Sequence, residues 1–380
     1  MSRYLIVCAT GFLCLLCSMN CSDDPGLIGK GLVPPEDALR IDSVQFEATS
    51  DTTYLRRISG NSAILLLGRD AHFEARTLFR LSGISSIPSG VTVDSASLVL
   101  PLQYFSKTTS EFLSFEIHEM LQAWNPGTFT WDSLNSGSFS DSIAGSVSQF
   151  VGFQDSLLIV RLDKLVQKWY LAGGNPQYGI ILNPASTSNI VIGVQNFVNT
   201  SLQPRLNISY HDTTDSTITG GFTPPQSTFV ANGDAHPPVD QVYVEGGVAY
   251  RALVRFDSLR LGRDVSITSA TLEVVGDAGS SLLNKYSRDS LIVYLSRDIA
   301  PPYNSLALGQ LCVPTLTGTQ KVYRSDVKEI VQQWVTGTPN VGLVLTSVGE
   351  YTTSDRFAIY GALATGGLRP RMKIVYTTLP

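Results

Sequence analysis

The stretch Arg76-Thr-Leu-Phe-Arg80 returns later in the chain as Arg251-Ala-Leu-Val-Arg255. Two further stretches return in the same order: Leu165-Val-Gln-Lys-Trp169 as Ile330-Val-Gln-Gln-Trp334, and Pro204-Arg-Leu-Asn-Ile-Ser-Tyr210 as Pro370-Arg-Met-Lys-Ile-Val-Tyr376. Matches that keep their order at similar spacing indicate two tandem copies of one domain. Most repeated positions are apolar, so the sequence repeats a scaffold, and no catalytic constellation is repeated with it.

Each copy has the pattern of an all-β domain. Runs of alternating apolar and β-branched residues, such as Ser95-Ala-Ser-Leu-Val-Leu and Ser269-Ala-Thr-Leu-Glu-Val, are separated by Gly, Ser, Asn and Pro turns. The sequence therefore predicts two tandem jelly-roll or β-sandwich domains. In each copy an i, i+3, i+4, i+7 apolar stripe, ending at Trp169 and at Trp334, predicts one short amphipathic helix with its Trp in the core.

These patterns divide the chain into five predicted segments. They are a signal peptide over 1–20, a tether over 21–40, a first domain over 41–210, a linker over 211–227 and a second domain over 228–380. The linker, HDTTDSTITGGFTPPQS, is recognised by its Thr, Ser, Gly and Pro content.

The N-terminus has the features of a secretory signal. Arg3 supplies a positive charge, and the apolar run from Tyr4 to Leu16 is too short to span a bilayer. Four of the five cysteines lie in or at the end of this segment, which leaves Cys312 alone downstream. A single body cysteine provides no disulfide framework, so the core must be stable without one.

Ser18-Met-Asn-Cys21 resembles the lipidation motif of bacterial lipoproteins, in which the Cys becomes the lipid-bearing first residue. Cys17 is the alternative site. Asp23-Asp24 is similar to the acidic export signal of surface-exposed Bacteroidota lipoproteins. The resemblance implies a protein anchored to the outer membrane through lipid on Cys21 and facing outward.

Composition and motifs argue against two other classes of function. The net charge of −5 and the absence of a Lys or Arg cluster argue against nucleic-acid binding. None of the four His lies in a metal-ligand motif, and no Gly-x-Ser-x-Gly sequence occurs. A hydrolase would need two facing carboxylates, which remains a third alternative, and the chain is predicted not to be an enzyme.

The repeated blocks together resemble the DNRLRE-type domain, a β-sandwich module of secreted microbial proteins related to carbohydrate-binding modules. Copy one also contains the family's Trp pair in Trp124-Asn-Pro-Gly-Thr-Phe-Thr-Trp131, whereas copy two has Asp298-Ile-Ala-Pro-Pro-Tyr-Asn304 there. The resemblance implies a non-catalytic, polysaccharide-facing or cell-surface role, with acidic glycans among the ligands. Any function of the Trp loop is then expected in copy one only.

Aromatic and Arg side chains are the candidate carbohydrate contacts. The set is Trp124, Phe129, Trp131, Arg76, Arg80, Arg251 and Arg255. Loop aromatics stack on sugar rings, and two Arg at i, i+4 on one strand face suit the carboxylates of a uronic-acid polymer. In the alternative interpretation the loop folds back over the core and the Arg side chains form internal ion pairs.

The leading prediction is recognition of polysaccharide at the cell surface, and the alternative is a structural or adhesive protein that uses the domains as spacers or assembly units. A binding module should present a concave face lined by aromatic and Arg side chains, whereas a spacer should bury or pair them. No cofactor is predicted. A structural calcium ion is left open at Asp70 with Glu74 or at Asp234 with Asp240, although neither pair forms a dense carboxylate loop.

Overall fold

The computed structural model describes residues 40–378 apart from 59, 61, 197–201, 212–216, 235, 263 and 285–286. The predicted signal peptide, Cys21 and the tether up to residue 39 lie outside the described residues. The described chain is all-β with two short α-helices, which confirms the predicted fold class at that level.

The two repeats correspond strand for strand. The first contains β1 Arg40–Glu47, β2 Ser50–Leu55, β3 Ile64–Arg69, β4 Phe73–Arg80, β5 Thr92–Phe105, β6 Glu111–Met120, β7 Phe139–Val151, β8 Leu157–Arg161, α1 Asp163–Leu171, β9 Ile180–Pro184, β10 Ile190–Gln195 and β11 Arg205–His211. The second contains β12 Thr217–Phe222, β13 Gln226–Gly233, β14 Gln241–Glu245, β15 Tyr250–Arg255, β16 Val265–Gly276, β17 Leu291–Ser296, β18 Leu306–Thr317, β19 Gln320–Asp326, α2 Lys328–Val335, β20 Leu343–Ser347, β21 Arg356–Tyr360 and β22 Arg371–Thr378.

Local sequence explains the helices and strands. In α1 the buried side chains are Leu165, Val166 and Trp169, as the helical stripe predicts, and α2 buries Trp334 in the same way. In β22 the side chains of Met372 and Ile374 are buried around an exposed Lys373, the alternation of a strand with one face on a core.

The strands form two sheets. One has the order β12-β11-β5-β10-β3-β4-β9-β6-β7, with β13 beside β4 and β8 beside β5; with α1 it makes the first body. The other has the order β1-β22-β16-β19-β18-β17-β20-β15-β14-β21, with β2 beside β15; with α2 it makes the second body. The second sheet closes into a barrel, because β16 also pairs with β21. The first sheet curls without such a closing ladder among the described residues.

The first two strands of each repeat belong to the other repeat's body. β1 runs antiparallel to β22 from Arg40↔Thr378 to Glu47↔Arg371, and β2 runs antiparallel to β15. Reciprocally, β12 pairs with β11 and β13 pairs with β4. Since β1 corresponds to β12 and β2 to β13, each body receives the same two strands from the opposite repeat. The chain is therefore interlocked by reciprocal strand exchange.

Because of the exchange, the strands that form each body do not coincide with the predicted domain segments. Residues 41–55, assigned to the first domain from sequence, pair with the second body. The predicted linker over 211–227 contains all of β12, and β13 starts at Gln226. Gly and Pro in this stretch are typical of a linker, but the alternating Thr217-Ile-Thr segment extends the ladder on β11.

Each of the two hydrophobic cores contains side chains from the other repeat. The first core contains Phe229 and Ala231 of β13, packed with first-repeat residues such as Phe79 and Phe115. The second core contains Ala48, with Phe46 of β1 packed against it. Burial of apolar side chains is the main stabilising contribution, so each core depends on a segment from the other repeat.

Candidate functional site

The predicted aromatic loop lies flat on the outer face of the first sheet. Trp124 is 5% exposed and Phe129 is 6% exposed. Both pack in a small cluster that includes Leu78 of β4, Ile181 of β9 and Val230 of β13. The loop thus folds back over the sheet, as in the alternative interpretation, and the two rings do not stand at a loop tip.

Hydrogen bonds hold the aromatic loop in this position. The Trp124 Nε1–H donates to the carbonyl oxygen of Tyr178 at 2.7 Å. Trp131 is half-buried and begins a short 3-10 turn, Trp131–Ser133, in which the Thr130 N–H donates to Ser133 Oγ at 3.1 Å. A buried Trp N–H with a carbonyl partner is a structural anchor.

The two Arg side chains of β4 lie under this loop. The Arg76 guanidinium is 4.5 Å from the centre of the Trp131 ring and forms an ion pair with Glu74 at 2.8 Å. The Arg80 guanidinium is 5.4 Å from the centre of the Trp124 ring. Both Arg residues therefore share one face, as their i, i+4 spacing predicts, and that face is covered by the protein's own aromatic rings.

In the second repeat the corresponding Arg residues are also engaged. Arg251 forms two hydrogen bonds to Glu350, from Nε at 2.7 Å and from Nη2 at 2.9 Å. The two side chains are 4% and 8% exposed, so the ion pair is buried. Arg255 donates from Nη2 to the hydroxyl of Tyr303 at 3.1 Å.

Tyr303 occupies the place in the second body that Trp124 has in the first. It packs with Leu253 of β15 and Val344 of β20, the counterparts of Leu78 and Ile181. Its ring meets that of Tyr54 at 5.3 Å in an edge-to-face contact, and burial raises the pKa of Tyr54 to about 12. No sequence motif indicates Tyr54, and the signal for Tyr303 is that it is the single aromatic residue in the loop that replaces the Trp loop.

Both loops cover the strand that comes from the opposite repeat. The first cluster includes Val230 of β13, and the second includes Tyr54 of β2. Val230 lies opposite Arg76 and Tyr54 lies opposite Arg251, so they occupy matching positions. We call these two loops the clasps: residues 121–138 on the first body and 297–305 on the second.

The connection between β2 and β3 is bonded to the first clasp. Arg57 forms an ion pair with Asp132 at 3.0 Å. It also donates from Nη1 to Asn232 Oδ1, in β13, at 3.1 Å. The Arg57 side chain thus joins the first clasp to the exchanged strand β13 beneath it.

Replacing Trp124 with Ala should destabilise the first body. The change opens a cavity beneath the clasp and leaves the Tyr178 carbonyl without its donor, and such truncations cost about 3–5 kcal/mol. The free energy of unfolding from urea titration checks this. Trp131→Ala, at the half-buried ring, serves as the control and should cost clearly less; equal and negligible losses would contradict the clasp.

A cluster of charged side chains holds β22, the last strand of the second body, against β16. Glu273 on β16 accepts hydrogen bonds from Arg324 at 2.8 Å and from Arg371 at 2.6 Å, and lies 3.3 Å from the Lys373 ammonium. Burial raises the pKa of Glu273, but these three cations outweigh burial and lower the pKa from 4.5 to about 2. The ionised carboxylate therefore stabilises the folded state.

The stabilisation from Glu273 should disappear in acid. Because the folded pKa is below the unfolded value of 4.5, the contribution is present above pH 4.5 and is lost as the pH falls toward 2. We expect Glu273→Gln to lose about 3 kcal/mol at pH 7 and to flatten the stability profile between these pH values. Urea unfolding across pH measures both effects, with Glu329→Gln, at an exposed position outside the cluster, as the control.

The two bodies meet through Val248 of the second, which is buried in the first core, and through polar contacts, and they leave a cleft between them. The Tyr104 hydroxyl of β5 lies 3.1 Å from Ser354 Oγ of the second repeat. Beside it is a cavity of about 550 Å³, lined from the first body by Phe105, Phe153 and Gln154 and from the second by Arg288 and Thr353. Phe153 is 47% exposed.

Three of the four carboxylates proposed for calcium, those of Asp70, Glu74 and Asp234, have other partners. Asp70 Oδ1 accepts hydrogen bonds from the backbone N–H groups of His72 and Phe73 at 2.9 and 3.0 Å, Glu74 pairs with Arg76, and Asp234 contacts His236. Across the described part of the chain no group of three His, Cys, Asp or Glu side chains is placed to hold a metal ion.

Comparison with known proteins adds no relatives. No protein family, no curated protein and no solved structure matches the chain at the significance required. Within residues 40–378, at the positions that the structure describes, no helix has the length and apolar character needed to cross a membrane.

Proposed function

We propose that this chain is a non-catalytic structural or adhesive protein of the cell envelope, in which two interlocked β bodies act as a spacer or assembly unit. One observation carries the proposal: the side chains that best suited sugar binding are used internally. Trp124, Phe129 and Arg251 are buried, and Arg76 and Arg80 lie beneath their own clasp. The surface formed by these side chains stabilises the exchanged strands, which is a structural role.

The finer fold and the location belong to the same proposal. Each body is taken as a DNRLRE-type jelly-roll sandwich, supported by the repeated strand order and by β5, which spans from the β11 ladder to the β10 ladder. The anchor is lipid on Cys21, supported by the apolar run before it and Asp23-Asp24 after it. The protein then projects outward from the outer membrane.

Lipid attachment can be tested in cells grown with labelled palmitate. The label should enter the full chain and be lost in Cys21→Ala, while Cys17→Ala, the matched control, should keep it. Protease added to intact cells should cleave the protein if it faces outward. Label that persists in Cys21→Ala would contradict the anchor.

If the protein is a scaffold, the side chains that the sequence indicates as sugar contacts should not contribute to binding of a polysaccharide. The mature chain from Ser22 onward is titrated against acidic and neutral polysaccharides by calorimetry, with and without calcium. We expect no saturable binding that depends on Arg80. Saturable binding that is lost in Arg80→Ala, with folding intact by circular dichroism, would contradict the proposal.

A second function, polysaccharide recognition, is favoured by the cleft between the bodies. Its exposed aromatic ring, Phe153, and exposed cation, Arg288, together with amide and hydroxyl groups, suit a short acidic glycan. If a polysaccharide binds here, Phe153→Ala should abolish binding, whereas Phe150→Ala, an exposed Phe outside the cleft lining, should not. Equal affinity in both variants would exclude the cleft.

A further inference from the structure

We propose that the strand pair β1–β2 also exchanges between copies of this chain, so that two molecules assemble by docking each other's N-terminal strands on their second bodies. This proposal rests on the proposed assembly role and names the partner in that assembly, a second copy of the chain. It is carried by the topology of the exchanged strands.

The first step is that β1–β2 has no strand partner in its own repeat among the described residues. Its ladders run along β22 and β15 only. The bonds around it also go to the second repeat: the Thr49 hydroxyl donates to Asp257 at 2.8 Å, and the Ala362 N–H donates to Asp51. A segment whose strand ladders all run to another part of the chain can form the same ladders with that part of another copy.

The second step is that β1 lies at the rim of its sheet. It ends the strand order and pairs on one side only, with β22. Ile41 is 68% exposed, and Val44 and Phe46 are only half-buried against the second core. Release of β1–β2 withdraws Ala48 from the second core and Tyr54 from beneath the second clasp but leaves the rest of that core packed, so it costs less free energy than opening the core.

The third step is that the bodies already accept strands that do not come from their own repeat. β12–β13 occupies on the first body the place that β1–β2 occupies on the second. β12 follows β11 closely in sequence, whereas β1–β2 reaches its site from the far end of the chain. The two N-terminal strands can therefore bind either to the second body of their own chain or to the second body of a neighbouring chain. Chains anchored to one membrane meet at high local concentration, which favours that choice.

The experiment uses cysteines placed opposite each other on paired strands, and each single variant oxidised alone shows any dimer formed by collision. Ser43 of β1 lies opposite Val375 of β22. Chains from Ser22 onward carrying Ser43→Cys or Val375→Cys are co-expressed, purified together and oxidised with copper phenanthroline. The native Cys312 does not interfere, because it is buried and burial raises its thiol pKa to about 12.

Two controls make either result decisive. The double variant with both cysteines in one chain shows that the pair reacts when the strands are adjacent. A second co-expressed pair, Leu316→Cys and Lys321→Cys, lies opposite within the β18–β19 hairpin and cannot pair between copies by exchange of β1–β2.

Exchange between copies predicts a band at twice the chain mass from the Ser43→Cys and Val375→Cys mixture, and none from the hairpin mixture. If the double variant closes its internal disulfide but the mixture yields no dimer, exchange between copies is overturned. The scaffold proposal would survive that result, because it rests on exchange within one chain. Binding of a polysaccharide through Arg80 would contradict the scaffold without altering the cross-link.

Discussion

Deleting residues 40–55 should unfold the edges of the second body and leave the first body protected. The deletion removes one ladder partner from each of β22 and β15, although the deleted residues precede the first repeat's own sheet in sequence. It also removes Val44, Phe46 and Tyr54 from the second body's apolar contacts. At about 1.5–3 kcal/mol for a fully buried side chain, the loss should reach roughly 3 kcal/mol or more.

Hydrogen exchange with mass spectrometry locates the damage. Protection should fall in β22 and β15 and stay high in β11 and β4. Fluorescence of Trp334, the single Trp of the second repeat, should shift toward the unfolded value. Deleting residues 22–39 instead should change neither signal. Lost protection in β11 and β4 would mean that β1–β2 belongs to the first body.

Replacing Arg251 with Met should destabilise the second body by about 3–5 kcal/mol. The change leaves the buried Glu350 carboxylate without its two hydrogen bonds, and an unpaired buried charge is costly. Arg76→Met is the matched control from the first repeat. Arg76 and its partner Glu74 are more exposed, so that change should cost about 1 kcal/mol or less.

Urea titration followed by far-ultraviolet circular dichroism measures the effect of Arg251→Met. Adding Glu350→Leu should recover much of the lost stability, because both buried charges are then replaced by apolar groups. An Arg251 reserved for a ligand's carboxylate makes the opposite prediction: the single variant would be as stable as the unaltered protein.

The repeat and the helices could be predicted from sequence because they depend on local patterns. The apolar stripe to Trp169 places that ring in the core directly, and so does the stripe to Trp334. Trp124 and Trp131 sit in no such stripe, so their direction depends on which surface the loop meets. The structure supplies that surface, which includes Val230 from the other repeat.

Strand exchange could not be predicted because the two alternatives are alike in sequence. β1 can pair with either closing strand, and these share the pattern Pro-Arg-x-x-Ile-x-Tyr ending at Tyr210 and Tyr376. The local sequence of β1 does not distinguish them. Contacts made in the folded state distinguish them: Tyr54 lies beneath the second clasp, and Arg57 bonds to the first.

The most direct test is to cut the chain between the repeats. Residues 212–216, between β11 and β12, are replaced by a protease recognition sequence, and the cleaved protein is measured by size-exclusion chromatography with light scattering. Reciprocal exchange predicts that the halves stay together at the mass of the whole chain and separate only in denaturant. Two free species of half that mass under native conditions would contradict the exchange and the scaffold built on it.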